Sequence, residues 1–170
     1  MTQSALLVPV PAVESVVGEW RARYDSSAPD GIPAHVTVLY PFMAPAAIDA
    51  SVLDALGACV VGVSAFSCTF SRVGWFGDEV VYLAPDDPSP FVALTEAVVA
   101  AFPDYPPYEG AFDTVVPHLT LGDTGTRAER AAIADAVGAH LPLVAACDAV
   151  WLMTGTPGEP WSLAAQWPLG

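Results

Sequence analysis

Two of the three histidines in this 170-residue chain stand in matched settings. His35 lies in Pro33-Ala34-His35-Val36-Thr37-Val38-Leu39-Tyr40, and His118 in Val116-Pro117-His118-Leu119-Thr120-Leu121-Gly122. Each follows a proline closely and is followed by an aliphatic residue, a threonine and a second aliphatic residue. Imidazole titrates near neutral pH, so one ring can accept a proton while another donates one. Threonine hydroxyls beside the rings would donate hydrogen bonds to charge developing on a substrate oxygen. Along a strand, residues i and i+2 share a face. His35 with Thr37, and His118 with Thr120, therefore point one way, while Val36, Val38, Leu119 and Leu121 point the other. The aliphatic faces belong in a core, and the polar faces in solvent or a cleft. One such strand alone would read as a half-buried polar face with a hydrogen-bonded histidine. The repetition is what favours a working pair. His140 has no threonine partner and reads as structural.

The elements that must position these residues are short, because seventeen prolines punctuate the chain. Ala5–Val10 reads as a strand and Val13–Tyr24 as a helix, closed by the Asp25–Pro29 turn. His35–Tyr40 is a strand stopped by Pro41, and Ala46–Leu56 a helix. Phe66–Val73 and Val80–Leu83 form a hairpin around Gly74–Glu79. Ser89–Phe102 is a helix with Ser89 as its N-cap. After a loop rich in Pro, Tyr and Gly come a strand at Val116–Gly122 and a helix at Thr126–Val137, with Gly138 as its stop. Two final strands fall near Val144–Thr154 and Trp161–Trp167. The two histidines are about half a chain apart, which suggests duplicated lobes within one α+β domain over residues 1–170.

Composition narrows the partners. Nineteen acidic residues stand against five arginines, and the net charge is -14. A chain that grips long nucleic acid needs a basic face to replace condensed counterions, and this one cannot build it. The acidity reads first as a solubility surface, and the sharper alternative is that any anionic substrate is small and held by local dipoles. No apolar run is long enough to span a bilayer, and the opening residues lack a basic n-region. Cys59, Cys68 and Cys147 are too few and too scattered for a disulfide frame or a zinc site, and suit a reducing cytoplasm. The expectation is a cytoplasmic monomer without membrane contact, cofactor or metal. Glycine-rich phosphate loops and the HExxH, GxSxG and CxxC motifs are missing, which argues against nucleotide triphosphatase, zinc protease and serine hydrolase chemistry.

The segments PAHVTVLYPF and YPPYEGAFDTVVPHLTLGD resemble the two signatures of the two-histidine phosphoesterase superfamily, in its 2′-5′ RNA-ligase-like group. The resemblance covers nearly the whole chain in length, motif spacing and element order. It implies a bilobal, pseudo-symmetric α+β fold, with two antiparallel-rich sheets facing a central cleft and helices outside. It also implies that His35, Thr37, His118 and Thr120 are catalytic. The activity implied is hydrolysis of a small nucleotide or RNA end, either a 2′,3′-cyclic phosphate or a 2′-5′ linkage. Which histidine is base and which acid stays open, His118 as base and His35 as acid being the favoured arrangement. Tyr40, Arg72, Trp75 and Tyr108 are candidate substrate-binding residues. For Trp75, Tyr108, Phe76 and Tyr105, base stacking and cover for the core are equally open. Arg72, Arg21 and Arg23 read more readily as solvated charges than as phosphate ligands, and the flanking Asp113 and Asp123 more readily as solvated acids than as partners that orient His118. Two other functions fit the composition: a nucleotide-binding module without turnover, and a scaffold recruited to other small-molecule chemistry.

Overall fold

A computed structural model describes residues 1–170. Its strands are β1 (Gln3–Pro9), β2 (His35–Leu39), β3 (Phe66–Phe76), β4 (Val80–Pro85), β5 (Leu119–Gly122), β6 (Leu143–Cys147), β7 (Ala149–Gly155) and β8 (Ser162–Pro168). The helices are α1 (Glu14–Tyr24), α2 (Ala50–Val61), α3 (Ser89–Ala101) and α4 (Arg127–Gly138). The strands form two four-stranded sheets, ordered β2-β1-β7-β8 and β5-β4-β3-β6. All neighbours are antiparallel. Each histidine motif thus occupies an edge strand, β2 in one sheet and β5 in the other. The fold is bilobal and pseudo-symmetric, as the resemblance implied. The lobes interleave in sequence, because β7 and β8 return to the sheet that β1 and β2 began.

The alternation in the motifs does set the packing. Val36, Val38, Leu119 and Leu121 are buried, whereas His35, Thr37 and Thr120 remain half-buried. One core cluster of 29 residues joins the apolar faces of both sheets to Val17, Leu56, Leu94, Ile133 and other helix residues. The helices also cross between lobes. α3 packs on β2, and Thr95 Oγ1 donates to the Val38 carbonyl at 2.8 Å. α1 packs on β5, and the Tyr24 carbonyl accepts from the Asp123 and Thr124 amides at 2.8 and 2.9 Å. These contacts give the outer edges of β2 and β5 partners that a bare sheet edge lacks. β2 and β5 themselves lie against each other.

Several boundaries move from their expected places, each for a local reason. α2 begins at Ala50 rather than Ala46, because the Asp49 side chain caps it by accepting from the Val52 amide at 3.0 Å. Pro45–Ala47 forms a separate 3-10 turn. Ser89 is not the cap of α3 but its first residue, held by Asp87 Oδ1, which accepts from its amide and hydroxyl. Gly138 falls inside the end of α4 rather than beyond it. β3 runs on to Phe76, which shortens the hairpin turn to Gly77–Glu79. His118 precedes β5 rather than standing within it, since Pro117 has no amide hydrogen to give a ladder. The strand expected at Val144–Thr154 is two strands, and Asp148 marks the point where the chain leaves one sheet for the other. No helix is long and apolar enough to cross a membrane.

Candidate active site

Both imidazoles are set by the same device. His35 Nδ1 lies 2.7 Å from the Pro33 carbonyl, and His118 Nδ1 lies 2.7 Å from the Val116 carbonyl. A carbonyl only accepts, so each Nδ1 carries its hydrogen, and each Nε2 is left free to take or give a proton. The residue two positions earlier thus fixes the tautomer without a carboxylate.

His35, Thr37 and Tyr40 line a recess of about 330 Å³, with Ser26, Asp30 and Trp161 around them. His118, Thr120 and Tyr108 line a larger one of about 920 Å³, with Phe76, Phe112 and Asp123. The two recesses flank the β2–β5 contact and are tied to each other twice. Ser26 of the first donates its amide and hydroxyl to Asp123 of the second, at 2.8 and 2.6 Å. The Tyr108 amide of the second donates to the Tyr40 carbonyl of the first at 2.7 Å. The two recesses are thus tied to each other, and the His118 charge is close enough to act on His35.

Burial dominates the electrostatics. It pushes the His35 pKa down to about 4, with help from the nearby Arg21 and His118 charges and against the Pro33 hydrogen bond and Asp25. Burial also lowers His118, partly offset by its bond to Val116. Both rings are thus neutral in the free protein at pH 7. An overall acidic chain would suggest the opposite shift. Here loss of hydration outweighs the distant carboxylates, most of which stand in solvent. Phe76 and Tyr82 wrap His118, with ring centroids 4.8 and 5.4 Å from the imidazole. Tyr82 can lie there because Gly74 beneath it has no side chain: a Cβ at Gly74 would meet the Tyr82 ring at 2.5 Å.

The remaining candidates are distributed as follows. Tyr40 donates to Gln3 Oε1 at 2.6 Å and faces Trp161 across 6.3 Å. Tyr108 meets Phe112 edge-on at 5.6 Å. The structure does not bring Arg72 or Trp75 to either recess. Arg72 is exposed on β3, and Trp75 packs against the core beneath the Arg127 guanidinium. Arg21 is no surface charge, being buried against Asp25, Ser27, the Ile32 carbonyl and Glu14. Tyr105 packs on Phe42 in the core, and His140 is exposed. Asp123 orients Ser26 rather than His118. Sequence reasoning missed Ser26, Asp30, Tyr82 and Trp161. Only Gly74 and Gly155, small residues under large rings, could have signalled the aromatic ones.

A family model for the 2′-5′ RNA ligase superfamily matches residues 8–159. The chain belongs to the 2′-5′ RNA ligase superfamily. Among curated proteins, none matches the sequence. Solved structures of similar fold include E. coli LigT complexed with 3′-AMP, at 18% identity and a TM-score of 0.62, covering 99% of this chain and 98% of that one. A crystal structure described as a phosphoesterase gives 17% identity and a TM-score of 0.61, covering 99% of both chains. The protein TT0787 of Thermus thermophilus gives 15% identity and a TM-score of 0.66, covering 98% of this chain and 97% of that one. At these identities the structures speak for the fold. The superfamily assignment rests on the matched residues, and both histidine segments fall inside them.

Proposed function

We propose that this superfamily member is a phosphodiesterase acting on a small nucleotide, a 2′,3′-cyclic phosphate or a 2′-5′-linked nucleotide, by paired-imidazole acid–base catalysis. One observation carries the reading: two Nε2 atoms, each freed by an identical Nδ1–carbonyl bond, belong to His35 on β2 and to His118 just before β5, and β2 and β5 lie against each other. The E. coli LigT complexes with 3′-AMP, ATP and NADP+ lend support, since a protein of this fold has been captured with small nucleotides.

In the cyclic phosphate case, a neutral imidazole takes a proton from water through Nε2, and the oxygen attacks phosphorus. The bond from phosphorus to one ribose oxygen breaks on the opposite side, and the second imidazole, protonated, delivers its Nε2 proton to that oxygen. The product is a nucleoside monophosphate, and the two rings have exchanged protonation states. Thr37 and Thr120 donate to the non-bridging oxygens as charge builds there. His35, with the more strongly lowered pKa, is the better placed to be the neutral base, and His118 the acid. That assignment reverses the one expected from sequence. An anionic phosphate between the rings raises both pKa values towards neutrality, so that one of them is protonated at work. These proton transfers need only the two imidazoles, and no three His, Cys, Asp or Glu side chains are grouped as a metal site requires.

The test is a screen of 2′,3′-cyclic nucleotides and 2′-5′ dinucleotides in the presence of EDTA. Turnover that survives chelation and disappears in the His35→Ala, His118→Ala double variant is expected. Turnover that needs an added divalent metal would overturn the mechanism.

A further inference from the structure

The larger recess has an unusual wall. Asp78, Glu79 and Asp123 line it, and no arginine does. The chain has no lysine, and its five arginines are disposed elsewhere. Arg21 and Arg130 are buried and committed to hydrogen bonds, Arg130 with the Asp78 carbonyl among them. Arg23 and Arg72 are exposed, and Arg127 pairs with Asp78 at 2.7 Å, so that Glu79 and Asp123 are the carboxylates of the wall without an arginine partner. Asp123 accepts only from the neutral Ser26, which leaves its charge in place. Glu79 stands exposed on the turn. The same recess carries aromatic surfaces from Phe76, Tyr108 and Phe112, and Phe112 is 64% exposed.

Resting on the paired-histidine reading, we propose that this recess seats the ring of the substrate's non-reacting part, and that Glu79 and Asp123 confine the protein to diesters whose only phosphate is the reacting one. The aromatic faces stack on a neutral base, and the carboxylates accept from its amino groups. A second phosphate brought to the same wall meets the negative charges of Glu79 and Asp123, which no arginine pairs. The repulsion costs roughly tenfold in affinity at low ionic strength. The protein is thus a reader of terminal, unphosphorylated nucleosides, in contrast to a site that would welcome a polyphosphate.

Calorimetry on the intact chain tests this with adenosine 3′-monophosphate and adenosine 3′,5′-bisphosphate as probes. The monophosphate is expected to bind about tenfold more tightly at low salt, with the gap closing in about 0.5 M salt. Glu79→Gln, an exposed change compatible with folding, should narrow the gap severalfold. Equal affinities, a preference for the bisphosphate, binding of neither probe, or a gap indifferent to both salt and Glu79→Gln would each overturn the proposal. Hydrolysis of adenosine 2′,3′-cyclic phosphate is measured alongside. Its failure with the binding order intact would overturn the phosphodiesterase reading and leave the charge filter standing. The converse pattern would do the reverse.

Discussion

An imidazole held by its own backbone needs no partner from elsewhere in the fold, which is why the matched setting of His35 and His118 was legible residue by residue. The spacing from His35 to Thr37 and from His118 to Thr120 fixes which side chains share a face, and the carbonyls that orient the rings belong to the same two segments. The protonation states were not legible, because burial depends on what packs above each ring. Replacing either histidine by alanine should lower kcat/KM about 10²–10⁴-fold, as for loss of one general acid or base. Thr37→Val or Thr120→Val should cost about 10–10³-fold, chiefly in kcat. The sign of both pKa shifts also predicts the pH profile. One neutral and one protonated ring coexist in the free protein only between the two lowered pKa values. The kcat/KM profile should therefore be a bell centred below pH 6.5, the ordinary imidazole value, with its acid limb near pH 4. The kcat profile, which reports the complex, should lie at higher pH. A lowered histidine pKa also removes stability as pH falls: the unfolded chain binds protons from pH 6.5 downward, whereas the folded one resists until about pH 4. Chemical denaturation midpoints measured from pH 7 to 4 should fall accordingly.

Among the elements, β2, stopped before Pro41, and α4, capped by Thr126, were readable, and those separated by a single residue were not. β6 and β7 form a continuous apolar run, and nothing but Asp148 marks where one sheet ends and the other begins. The membership of a strand in a sheet is a long-range fact that period-two alternation does not encode. The same holds for the aromatic wrap of His118, which depends on β3 and β4 being in register with Gly74 opposite Tyr82. Gly74→Ala tests this register directly. Its new methyl would enter the Tyr82 ring position, displacing Tyr82 and freeing His118 from one wall. The expected result is about 1–3 kcal/mol of lost stability from overpacking. The basic shift of the His118 limb should accompany it, because a less buried ring regains hydration. Titration of the His118 ring protons by NMR, beside thermal denaturation, reads both effects. An unchanged titration would separate Tyr82 from the electrostatics of the site.

At the level of the whole molecule, a net charge of -14 sets the response to salt. Proteins that hold nucleic acid through basic faces lose affinity as salt rises. This chain should do the opposite with a singly charged substrate: KM should fall severalfold between about 10 and 200 mM salt as self-repulsion is screened. Initial rates across that range check it, and a rising KM would contradict the role given to the acidic surface. The composition announced this charge, but only the fold shows that carboxylates reach the cleft wall while the arginines do not. The interleaving of the lobes has a consequence for a chain made from its N-terminus. β1 and β2 emerge early, yet β1 has an open side until Ala149–Gly155 pairs with it, and Ser162–Pro168 completes that sheet last. The second sheet, begun later, has all its strands once Cys147 is made. The nascent β1–β2 pair is therefore the part that waits longest with unpaired amides and apolar side chains uncovered. Ribosome-bound chains that stop short of Ala149 are where a chaperone would find this protein.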